Sequence, residues 1–235
     1  MRWPVTLRWG DLVLRPLRRT DARRWSGVRR ENAAWLRPWE ATLPAADPGV
    51  PATFGAMVRA NAREARAGRA EAFALDVDGV LMGQVTLGGI AWGSLRSAYI
   101  GYWISQEVAG RGIMPRAVAL VTDHAFADLG LHRIEINVRP ENAASLRVVA
   151  KVGYREEGYR PRYLHIDGAW RDHVSFVMLA DEWPSGGVAR RLAATSGDAG
   201  ARAVGRPLHN SDTPDPVIRG RVARDTGDSL PGIGT

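Results

Sequence analysis

From Tyr99 to Ala117 the chain reads YIGYWISQEVAGRGIMPRA, and this run constrains the fold more than any other. A β-rich stretch, Tyr99 to Ser105, enters a turn at Gly110-Arg111-Gly112, and a helical pattern follows at once. Strand, glycine turn and helix start are the parts of an anion cradle. Glycines let the backbone curl so that successive N–H groups point inward. The helix N-terminus adds unpaired donors and partial positive charge. About twenty residues on, HRIEINVRPENAASLRVVAKVGY reads as strand, loop and short helix ending at Gly153-Tyr154.

Composition narrows the options. At 235 residues the chain suits one domain with an appendage, or two small domains, and its 45% hydrophobic content supports a real core. It has no cysteine, which excludes a disulfide framework, a thiol nucleophile and a thiolate metal site. The five histidines have no metal-ligand spacing, so no metal is expected. Neither a signal peptide nor a membrane-length apolar run is evident, so a cytoplasmic protein without a membrane partner is expected. The net charge is +7, and Lys151 is the only lysine. The arginines are scattered among acids without an RNA-binding aromatic motif, so no nucleic-acid partner is expected.

Hydrophobic periodicity predicts strands at Val5–Trp9 and Leu12–Pro16, then a helix from Thr20-Asp21 to Arg30. A Pro/Ala/Gly loop covers Leu43–Pro51, and Thr53 opens a helix to Gly68. Ala72–Val77 and Val80–Leu87 form a hairpin around Asp78-Gly79. After the Tyr99–Ser105 strand, a helix runs from Arg111 to Leu129, a strand from Arg133 to Val138 and a helix from Asn142 to Val152. Two last strands flank Asp167-Gly168. From Pro184 to Thr235 there is no aromatic residue, and this segment reads as a disordered tail.

Taken with LVLRPLRRTDA from Leu12, ENAAWLRPWE from Glu31 and YLHIDGAWRDH from Tyr163, these segments resemble the GNAT superfamily of N-acetyltransferases. The likeness runs from about Val5 to Trp183 and is strongest to ribosomal-protein-alanine acetyltransferases of the RimJ and RimL kind. It implies a single α/β domain over residues 1–183. The sheet would be central, mixed and mostly antiparallel, with splayed central strands and flanking helices. The implied activity is acetyl transfer from acetyl-CoA to the N-terminal α-amine of a protein, such as a ribosomal protein. The alternatives are a small-amine or antibiotic acetyltransferase, and a non-catalytic CoA-binding module.

The resemblance also distributes roles. Main chain of Trp103, Ile104 and Ser105 would pair with pantetheine. Backbone N–H groups of Gly110, Arg111, Gly112, Ile113 and Met114 would hold the pyrophosphate. Glu107 departs from the basic or amide residue usual at its position, and Pro115 removes one N–H. Asn142, Ser145 and Val149 share a helical face. Asn142 is a cofactor contact or a helix cap. Ser145 is the nearest hydroxyl, because Val149 stands where some relatives carry a tyrosine acid. Glu135 is the candidate base, or a structural carboxylate paired with Arg133 or Arg139. Arg162 stands where related proteins carry an acid. On the acceptor side, Tyr163, His165, Trp170 and Asp172 share one hairpin face, and Trp35 and Trp39 border the acceptor or anchor the core.

Overall fold

Every residue of the strand Glu71–Val77 is buried, which requires helices on both faces of its sheet. The computed structural model describes residues 3–45 and 51–196. The chain opens with β1 (Leu7–Trp9), β2 (Leu12–Pro16), α1 (Ala22–Glu31), α2 (Ala33–Leu36) and α3 (Phe54–Arg66). Strands β3 (Glu71–Val77), β4 (Val80–Ala91) and β5 (Ser97–Ile104) follow, then α4 (Ile113–Asp123), β6 (Arg133–Val138) and α5 (Ala143–Val152). Two long strands, β7 (Arg155–Ile166) and β8 (Ala169–Leu179), precede α6 (Val188–Ser196). No helix among the described residues is long and apolar enough to cross a membrane.

The eight strands form one sheet in the order β1-β2-β3-β4-β5-β6-β8-β7. All neighbours are antiparallel except β5 and β6. The larger core joins the sheet to α4, α5 and α6 through Val118, Val121, Val149, Val152 and Val188. A smaller one seats α1 and α3 on Leu17, Ala74 and Leu81 through Trp25, Phe54, Met57 and Val58. Thr53 caps α3 by accepting from the Ala56 amide, as its position before the helix predicts.

The long helix expected from Arg111 to Leu129 is α4 followed by a π-helical turn at His124–Asp128. His124 is buried there between Glu71 and Asp128, 2.7 Å from each carboxylate. The boundary expected at Trp183 also moves. Residues 188–196 form α6, with Val188 and Ala189 in the core. The half-buried Asp123 carboxylate accepts from the Val188 and Ala189 amides at 2.7 and 3.0 Å and from Trp183 Nε1 at 2.7 Å. The capping carboxylate and an apolar face of Val188, Ala189, Leu192 and Ala193 dock this helix on the core. Most of the expected 43–51 loop, and the expected tail beyond Ser196, lie outside the described residues.

Candidate active site

Strands β5 and β6 touch only at their starts. Their parallel pairing is confined to Ser97–Tyr99 against Arg133–Glu135. Further along, β5 pairs with β4 and β6 with β8, so a gap opens beside Ile100–Ile104. The Ser105 amide donates to Met82 O at 2.7 Å, and the Ile104 carbonyl accepts from Trp35 Nε1 at 3.1 Å. Alternation then turns the main chain of Tyr102 and Ile104 toward the gap, and that of Trp103 and Ser105 toward β4. The expectation of three gap-facing residues is therefore corrected to Ile104, joined by Tyr102. The Ser105 hydroxyl is buried against Asn32. The Trp103 ring packs edge-on against Trp25 at 5.2 Å and lies under the Arg29 guanidinium.

The gap leads to the glycine turn. Gly110 and Gly112 have φ of +81° and +76°, and Gly112 is the residue from which α4 springs. Among the described residues, no N–H from Gly110 to Met114 finds a protein acceptor. A Cβ at Gly110 or Gly112 would meet no atom within 4 Å, so the turn is open above both. Arg111 is exposed and Glu107 is exposed in the preceding turn. Pro115, in the first turn of α4, sacrifices no intrahelical bond. These free donors in a concave turn suit the diphosphate of a nucleotide-based cofactor.

At the other side of the gap, Asn142 caps α5: its Oδ1 accepts from the Ser145 amide at 3.0 Å. Val149 is buried in the core. The phenol missing there comes from β5 instead, where the Tyr102 hydroxyl lies 2.6 Å from Ser145 Oγ. Burial pushes the Tyr102 phenol up to about 12, against the downward pull of the Ser145 hydrogen bond. Reading the motif failed to pick out Tyr102. Its alternation with the buried Ala98 and Ile100, on the face toward α4 and α5, was the available signal.

Glu135 is not a free base. One oxygen accepts from Arg133 Nε and Nη2 at 3.0 and 2.9 Å, and the other from Arg160 Nη2 at 2.9 Å. Asp172 is likewise engaged, accepting from the Tyr159 hydroxyl and, at 2.6 Å, from the Arg162 amide. It braces a bulge in which Pro161–Tyr163 oppose this single residue, so the expected continuous face breaks between Arg160 and Leu164. His165 does stand opposite Trp170, its ring edge-on at 5.5 Å, and Trp170 is exposed. Tyr163 packs on His173 at 5.6 Å and under Arg160. Burial lowers the His173 imidazole and keeps it neutral near pH 7.

A strap closes the acceptor side. Ala41 bridges Ile166, the Thr42 amide donates to His165 O at 2.9 Å, and Thr42 Oγ1 lies 2.8 Å from His165 Nδ1. Thr42 Oγ1 also accepts from the Gly168 amide at 3.2 Å, and Arg37 pairs with Asp167 at 2.9 Å. The connector after α2 is thus sewn to the β7–β8 tip, in front of the gap. Trp35 and Trp39 are both half-buried along it, Trp35 on Ile104 and Trp39 against Arg139. No group of three or more metal-ligating side chains comes together among the described residues.

Comparison with known proteins agrees with this geometry. Residues 11–155 match the family model for the acetyltransferase (GNAT) domain. The chain belongs to the GNAT family. A solved relative of this GNAT protein is Mycobacterium smegmatis RimJ in complex with CoA-disulfide. It is 40% identical, has a TM-score of 0.77, and the match covers 83% of this chain and 98% of that one. The Escherichia coli (strain K12) [Ribosomal protein uS5]-alanine N-acetyltransferase is 32% identical over 186 residues, 77% of this chain and 94% of its own. The ribosomal-protein-S5-alanine acetyltransferase of Vibrio fischeri is 27% identical with a TM-score of 0.69, covering 77% of this chain and all of that one. The protein is an acetyl-CoA-dependent N-acetyltransferase, with the mixed α/β sheet and splayed central strands expected of the family.

Proposed function

We propose that this enzyme acetylates the N-terminal α-amine of a protein, of the ribosomal-protein-alanine type, in the cytoplasm. The observation that carries the reading is the strap between Glu40–Thr42 and His165–Gly168. A strap in front of the gap favours a chain end, which can enter from outside, over a residue in the middle of a continuous chain. The relatives that act on a ribosomal-protein alanine support the same acceptor.

Acetyl-CoA supplies a thioester carbonyl and a thiolate leaving group. The free amides of Gly110–Met114 would hold its diphosphate, and the gap-facing main chain of Tyr102 and Ile104 would line its pantetheine. Tyr102 stays protonated, so it can donate a hydrogen bond to Ser145 Oγ and leave the Ser145 proton free for an outward bond. The pair can hand one proton to the departing thiolate while taking up the proton that the attacking amine loses, so neither oxygen ends up charged. With Glu135 and Asp172 engaged, the amine must arrive neutral.

That requirement favours α-amines. With ordinary pKa values of about 7.8 for an α-amine and about 10.4 for a lysine, roughly 14% and roughly 0.04% are neutral at pH 7. A neutral lysine is intrinsically the better nucleophile, so the net advantage is smaller than this ratio. Mass spectrometry of a peptide with a free N-terminal alanine and an internal lysine, run beside small free amines, tests the reading. Acetyl is expected on the α-amine. Acetylation mainly of the lysine or of the small amines would overturn it.

A further inference from the structure

The turn that carries the phosphate-binding amides leaves β5 through Ser105 and Gln106, and one side chain holds that exit. Asn32, at the junction of α1 and α2, is 6% exposed and reaches across to it from the acceptor side of the sheet. Its Oδ1 accepts from the Gln106 amide at 2.8 Å, and its Nδ2 donates to Ser105 Oγ at 3.1 Å and to Val28 O at 2.9 Å. The amide cannot be flipped. Gln106 N–H can only donate and Val28 C=O can only accept, so the oxygen must face β5 and the nitrogen α1. Gln106 and Glu107 are exposed and border an open hollow with Glu31, between the Ser105 amide anchored on Met82 O and the buried Val108. Three residues along, in α2, Trp35 grips Ile104 O.

We propose that Asn32 is a positioning residue for acetyl-CoA. By fixing where β5 ends, it sets the direction in which Gly110–Met114 present their amides and keeps the gap-facing edge at Ile104 in register. Acetyl-CoA affinity then depends on a side chain of the acceptor-side helices, which touches no part of the cofactor. The proposal rests on the assignment of the gap and the glycine turn to acetyl-CoA.

Four variants separate the possibilities, each read by calorimetry with CoA, by KM for acetyl-CoA and for acceptor peptide, and by melting temperature. Asn32→Ala should weaken CoA binding and raise the acetyl-CoA KM by about tenfold, the scale of one well-formed buried hydrogen bond. The KM for acceptor peptide should stay within about twofold. Ser105→Ala, which removes one bond of the cluster and disturbs the fold less, should weaken CoA binding by about threefold. Val28→Ala is the control: it opens a cavity in the same helix beside Asn32. It should lower the melting temperature and leave CoA affinity within about twofold. Unchanged CoA affinity in folded Asn32→Ala or in Ser105→Ala overturns the proposal, as does an equal loss in Val28→Ala. Gly112→Glu tests the underlying assignment. If it abolishes CoA binding while Asn32→Ala does nothing, the site stands and the positioning role falls. If neither matters, the site itself is wrong.

Discussion

In the proposed mechanism Tyr102 carries the hydroxyl that Val149 cannot offer and shares the proton transfer with Ser145, 2.6 Å away. Each oxygen needs the other: the phenol is too weak an acid at about 12 to give up its proton outright, and an isolated serine is weaker still. Ser145→Ala and Tyr102→Phe should each lower kcat by about 100-fold with little change in CoA binding, and the double variant should cost barely more than either alone. Single-turnover rates decide this; values within about threefold of wild type would reduce Ser145 to a residue of the capped turn. Gly112 makes a cleaner case for binding. A side chain there meets no neighbour, but its φ of +76° costs an L-residue roughly 1–2 kcal/mol. Gly112→Glu should therefore fold and still lose CoA binding, because its carboxylate would face the diphosphate. Calorimetry on the folded variant shows whether affinity is lost.

At the scale of elements, α6 is the piece whose removal says most. Cutting after Trp183 takes Val188 and Ala189 out of the core and strips Asp123 of two of its three donors. Burial of a side chain such as Val188 is worth about 2 kcal/mol, and the orphaned carboxylate adds about 1–3 kcal/mol. The melting temperature should fall by roughly 10 °C, whereas cutting after Ser196 should change it little. Calorimetric melts of the two truncations compare them directly. An unchanged melt after the first cut would return the boundary to Trp183. The sequence made Gly110, Gly112, the Asn142 cap and the Asp167-Gly168 turn legible, because each obeys a rule spanning a few residues. It hid Tyr102–Ser145, Asn32–Ser105 and Thr42–His165, whose partners lie 43, 73 and 123 residues apart. Glu135 falls between. Its pairing with Arg133, two residues away, was foreseeable, but the Arg160 contact that engages its second oxygen depends on how β7 folds back.

For the molecule as a whole, His124 links stability to pH. It sits at the end of α4, fully enclosed, and ties that helix to β3 through Glu71 and to its own π-turn through Asp128. Burial by itself pulls an imidazole down, but hydrogen bonds and charge from Asp128 and Glu71 outweigh it and raise His124 from 6.5 to about 9. The folded protein therefore holds this proton more tightly than the unfolded chain does. Its stabilising contribution is fully present below pH 6.5, declines as the unfolded imidazole stops competing for the proton, and is lost as pH rises through about 9. The melting temperature should consequently fall between pH 6.5 and 9, on top of whatever other groups contribute. His124→Gln keeps a hydrogen-bonding side chain but cannot carry the charge, so it should be less stable at pH 6 and show a flatter profile across that window. Acetyl-transfer rates over the same range should follow the acceptor amine instead, since Tyr102 and Ser145 remain protonated throughout. Thermal melts of both proteins at half-unit pH steps settle the assignment. Parallel profiles would mean that His124 is neutral in the fold.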